Sequence, residues 1–146
     1  MDKYNVGIAL NVLLVVLEII ALIQYWKGTG SLNFIYYTID SNIFVLIAAV
    51  LYLITRKNVP KVVQLAKYSS ALSVLITLLI VVFVLYPMSN FDFEFLFLKD
   101  SAFLMHVVCP VMATISFLFF EKISLEFLVC LQKVDVLADF LDQLFR

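Results

Sequence analysis

Four apolar runs, each close to the length of a membrane-crossing helix, alternate with short polar stretches along this 146-residue chain. A helix rises about 1.5 Å per residue, so roughly 20 residues cross the ~30 Å hydrocarbon layer of a bilayer. The runs cover about residues 6–25, 34–54, 68–85 and 102–120. Trp26 and Lys27 close the first, Thr55-Arg56-Lys57 the second, Pro87 the third and Glu121-Lys122 the fourth. The pattern predicts an all-α polytopic membrane domain of four transmembrane helices over residues 1–121. The first run begins just after Met1-Asp2-Lys3, is too long for a cleaved signal core and has no A-x-A site behind it. It therefore reads as a retained helix.

Residues 122–146 follow a different rule. Phe127, Cys130, Val134, Leu137, Leu141 and Leu144 recur at intervals of 3, 4, 3, 4 and 3, with Asp135, Asp139 and Asp142 on other faces. That stripe predicts an amphipathic C-terminal helix. Its acidic polar face suits docking on the bundle or on a second subunit better than lying on anionic lipid.

Composition agrees with the membrane reading: 64% of residues are hydrophobic, 14% are charged, and the mean hydropathy is +1.08. A soluble domain this small has too little interior to hide so much apolar surface. A net charge of −1 gives no reason to expect nucleic acid, and one histidine excludes a multi-histidine metal site, so no metal or cofactor is expected. Cys109 and Cys130 read as small apolar packing residues. Orientation follows the basic residues. If the second loop, with Arg56, Lys57, Lys61 and Lys67, is cytoplasmic, then so are Lys3, Lys122, Lys133 and Arg146, eight of the ten basic residues. Lys27 and Lys99 fall outside. Both termini are thus expected in the cytoplasm, in a multi-pass protein of the cell membrane.

Polar residues within the runs need a physical reason, because a charge at the bilayer centre costs about 2.5–3.5 kcal/mol. Glu18 lies near the middle of the first helix, with Asn11 seven residues earlier on the same face. It is either a neutral carboxyl hydrogen-bonded across helices or part of a proton-carrying, water-filled site. Ser73, Thr77, Ala113 and Ser116 read as seams for close helix packing. The second helix opens on Thr38-Ile39-Asp40-Ser41-Asn42, four polar residues in five where one N-cap would suffice. Thr38, Ser41 and Asn42 share a face, and Asp40 points almost opposite, as a first-turn anion would. In the fourth helix His106 stands four residues before Pro110, which has no N–H for the His106 carbonyl, so the helix should bend there. Thr38 and His106 each lie about four residues inside the same membrane face. A hydroxyl and an imidazole at one depth are the minimum for a nucleophile and its general base. Ser41 or Asn42 could then donate to an oxyanion.

At these residues the chain resembles known families. Tyr37-Thr38-Ile39-Asp40-Ser41-Asn42 and His106-Val107-Val108-Cys109-Pro110 are similar to the helix-start and His-then-Pro motifs of the bacterial integral-membrane Pr6Pr family. Both are also similar to motifs of the eukaryotic androgen-induced-gene (androgen-dependent TFPI-regulating) family. Members of the latter are intramembrane hydrolases of fatty acid esters of hydroxy fatty acids, with a threonine nucleophile and a histidine. The resemblance implies those roles for Thr38 and His106, and a lipid ester as substrate. It covers about residues 34–121 and departs in one respect: such families have about six spans and four are read here. The chain accordingly reads as a shortened member or a fragment. Two other readings stand beside it. One is a non-enzymatic bundle or small transport component in which Glu18, Asp40 and His106 form a polar network. The other is a homo-oligomer assembled through the tail.

Overall fold

A computed structural model describes residues 3–90, 92–98 and 101–121, and all of its regular elements are helical. The amphipathic stripe expected over 122–146 lies outside the described residues. Helix α1 runs Lys3–Thr29, α2 Tyr37–Thr55, α3 Lys61–Met88 and α4 Leu104–Phe120, with a single wide turn at Glu94–Leu98 between the last two. By length and composition α1, α2 and α3 are able to cross a membrane, while α4 is apolar but shorter.

The helices overrun the apolar runs at several ends, for identifiable reasons. α1 continues past Tyr25 because Gly30, at φ 75°, supplies the left-handed residue that ends it, and its N–H returns to the Trp26 carbonyl at 2.7 Å. α3 begins at Lys61, not near residue 68, because extended Pro60 sets the entry and its carbonyl accepts from Val63 and Gln64. The consequence reaches beyond the boundary. Lys67, counted from sequence as a loop cation, lies within α3 and is buried.

The prolines do not simply stop their helices. The turn before Pro87, Val81–Leu85, and the turn before Pro110, Leu104–Val108, are both wound as π-helix. In each, an N–H reaches back five residues, Tyr86 to Val81 and Cys109 to Leu104. The bend expected at His106 thus takes the form of a widened turn with His106 at its centre.

The four helices form a ring. α2 packs between α1 and α3, and α4 closes the ring against α3 and α1. Small residues allow the approach: Ala48, Ala49, Ala71 and Ala113 are all buried at the interfaces. Leu14, Val45, Val74 and Cys109 fill the centre, and Ala21, Ile39 and Met105 fill the layer beside the loop of residues 30–36. Polarity is inverted relative to a soluble bundle. Val12, Val16, Ile19 and Ile23 of α1 face outward, while Asn11 and Glu18 of the same helix are fully buried. Lipid is the solvent in which that arrangement is stable.

Gly7 lets α1 approach the end of α4 closely. A Cβ built there would sit 3.0 Å from the Phe120 carbonyl oxygen and 3.3 Å from its Cβ. Gly7→Val is expected to push the two helices apart at a cost of about 1–3 kcal/mol, the usual range for overpacking. A thermal-unfolding midpoint in detergent equal to wild type would refute this.

Candidate functional site

The start of α2 is built from backbone, not from side-chain caps. Tyr36 is extended and makes no side-chain cap, and its carbonyl accepts the N–H groups of Ile39 at 2.9 Å and Asp40 at 3.4 Å. The N–H groups of Tyr37 and Thr38 have no backbone acceptor among the described residues. They sit at the positive end of the helix dipole, open to a polar guest.

The polar side chains of this turn are therefore free for other duties. Ser41 Oγ lies 3.0 Å from the Thr38 carbonyl and 3.0 Å from Thr77 Oγ1 on α3. Asn42 Nδ2 donates to the Thr38 carbonyl at 2.7 Å and to the Met105 carbonyl of α4 at 3.4 Å. Asn42 thus joins the backbone of Thr38 to the backbone just before His106. The donors of Ser41 and Asn42 are engaged in holding the frame, which leaves little to offer an oxyanion. Asp40, on the first turn, is exposed, as its angular position required.

His106 is half-buried, and its Nδ1 lies 2.8 Å from the Leu96 carbonyl in the Glu94–Leu98 turn. A carbonyl only accepts, so Nδ1 carries the proton and Nε2 keeps its lone pair. The turn is held by aromatic packing: Phe97 stacks on Phe93 at 4.9 Å between centroids and meets Tyr86 of α3 edge-on at 5.6 Å. Thr38 and His106 line one cavity of about 550 Å³, together with Tyr25, Tyr36, Leu96 and Ser101. That volume lies within the range of small-ligand cavities.

Glu18 does not join them. It is absent from the lining of that cavity, is fully buried between the Leu14 and Ala21 layers, and neither carboxyl oxygen has a hydrogen-bond partner among the described residues. The Cys109 thiol of α4 is the polar group it interacts with across the interface. Asn42 Oδ1 is likewise buried without a partner. With Asp40 exposed and His106 bonded to Leu96, the three members of the suggested Glu18–Asp40–His106 network have different surroundings.

A second polar cluster was not expected from sequence. Near the opposite end of the bundle, Lys67 Nζ lies 3.1 Å from Glu121 Oε1, with side chains only 2% and 5% exposed. Asn11 accepts from Lys67 at 2.8 Å and donates to Ser116 Oγ and Glu121 Oε1, each at 3.0 Å. Ser116 Oγ also donates to Glu121 at 3.0 Å, and Lys67 Nζ stands 5.7 Å above the Tyr52 ring. One signal was present: Lys67, Ser70, Val74 and Thr77 continue at intervals of 3, 4 and 3, so Lys67 belongs to the buried stripe of α3. No group of three or more His, Cys, Asp or Glu able to hold a metal ion occurs among the described residues.

Compared with protein-family models, curated proteins and solved structures, the chain matches none of them.

Proposed function

We propose that this chain is a multi-pass protein of the cell membrane that hydrolyses fatty-acyl esters within the bilayer, similar to the intramembrane threonine hydrolases its two motifs resemble. In this reading α4 is the fourth span, and the Lys3 and Arg56 end of the bundle faces the cytoplasm. One observation carries the proposal: His106, with its Nδ1 bonded to the Leu96 carbonyl, lines the same cavity as Thr38, which leaves Nε2 as the nitrogen available for a proton. The chemistry then follows. Thr38 Oγ1 adds to the ester carbonyl carbon while Nε2 takes the hydroxyl proton. The adduct collapses, the alkoxide leaves with that proton, and an acyl-threonine remains. Water adds to it and gives a proton to Nε2; the bond to Thr38 breaks, the proton returns to Oγ1, and the fatty acid departs. The unpaired N–H groups of Tyr37 and Thr38 are the donors best suited to the oxyanion, with Asn42 as a positioning residue. Covalent labelling of the purified protein by a fluorophosphonate, compared with Thr38→Ala and His106→Ala, tests the reading.

One observation favours a second reading, a proton- or solute-conducting bundle: the fully buried carboxyl of Glu18 beside the Cys109 thiol, with no cation to pair it among the described residues. Under the hydrolase reading Glu18→Gln retains ester turnover, and liposomes carrying either protein show the same proton flux. A flux present in wild type and abolished by Glu18→Gln would transfer the function to this residue.

A further inference from the structure

At the end of the bundle opposite Thr38, a cavity of about 610 Å³ opens between the start of α1, the end of α2 and the last residues of α4. Three cations from two separate elements line it: Lys3 of α1, and Arg56 and Lys57 just after α2. Their convergence is built into the fold. Tyr4 OH donates to the Arg56 carbonyl at 3.1 Å, pinning the first turn of α1 to the end of α2 across 52 residues of sequence. One carboxylate, Glu121, also lines the cavity, but its Oε1 is already taken up by Lys67, Asn11 and Ser116. The local balance is therefore strongly positive. Aromatic side chains, Tyr4, Tyr52 and Phe119, line the same cavity. Cations and aromatic side chains together, at the end of an apolar bundle, suit the depth where phosphates meet acyl glycerol.

We propose that this cavity binds the phosphate of an anionic phospholipid, with Lys3, Arg56 and Lys57 on the headgroup and the aromatic wall against the glycerol and upper acyl chain. The assignment is independent of the hydrolase reading. A spread of basic residues that only sets orientation in the membrane needs neither a cavity nor the Tyr4–Arg56 tether. Free phosphate shares the charge chemistry but has no use for the aromatic wall.

The test uses the full chain in nanodiscs of mixed phosphatidylcholine and phosphatidylglycerol, then released into mild detergent, with retained lipid counted by native mass spectrometry. Phosphatidylglycerol is expected to be retained above its share of the bilayer. Lys3→Gln and Lys57→Gln should each lower that preference about fivefold, following the contribution of one cation near an anionic surface. Arg56→Lys keeps the charge and should keep the preference. Lys27→Gln, at the far end of α1, should leave it unchanged. Equal retention of both lipids overturns the proposal, as does an equal loss in Lys27→Gln. Displacement of phosphatidylglycerol by an equal concentration of inorganic phosphate would overturn the lipid assignment in favour of a soluble anion.

Discussion

Thr38→Ala is expected to abolish fluorophosphonate labelling and to lower lipid-ester turnover by on the order of 10³-fold or more, with His106→Ala causing a loss of similar size. The two groups act on one proton, so the double variant should be scarcely worse than either single one. Thr38→Ser keeps the hydroxyl and should keep part of the activity. Both residues are half-buried at a cavity wall, outside the central packed layers, so helix content and thermal stability should change little. Unchanged turnover in Thr38→Ala, with the protein folded, would sink the nucleophile assignment.

The second large effect is on stability. Lys67→Met leaves the Glu121 carboxylate buried without its cation, and Glu121→Leu strands the ammonium and removes the acceptor of Asn11 and Ser116. Breaking one side of a buried ion pair costs about 3–5 kcal/mol, mostly from the charge left behind. Each single variant should therefore lower the unfolding midpoint in detergent far more than Gly7→Val does. Replacing both residues together should recover most of the loss, because no orphan charge remains. Single variants as stable as wild type would show that the pair contributes little.

Much of the architecture could be read from the order of residues. The centres of all four helices were visible because long apolar runs mark them. Helix ends were less legible, since Lys61, Gln64 and Lys67 break the apolar run across the first turns of α3 without breaking the helix. Lys67 is the case in point: a cation near a run's edge looks like a loop charge unless its angular position is followed inward. At the site, topology brought Thr38 and His106 to one level. The duties of Ser41 and Asn42 depended on which carbonyls the packed helices presented, and no spacing rule encodes that. The Leu96 contact was also invisible, because Glu94–Leu98 has no periodic pattern to aim it.

The imidazole takes its tautomer from a main-chain oxygen, and this changes where evolution or an engineer could adjust it. Substituting the side chain at position 96 leaves the oxygen in place, so a substitution there will pass over the group that orients the base. Changing the length of the connection between α3 and α4 is the more direct control. One residue added or removed there shifts the carbonyl away, and Nδ1 and Nε2 then share the proton. Loop length and the Phe93, Phe97 and Tyr86 packing that holds the turn, not the side chain at 96, are the tuning elements for this histidine.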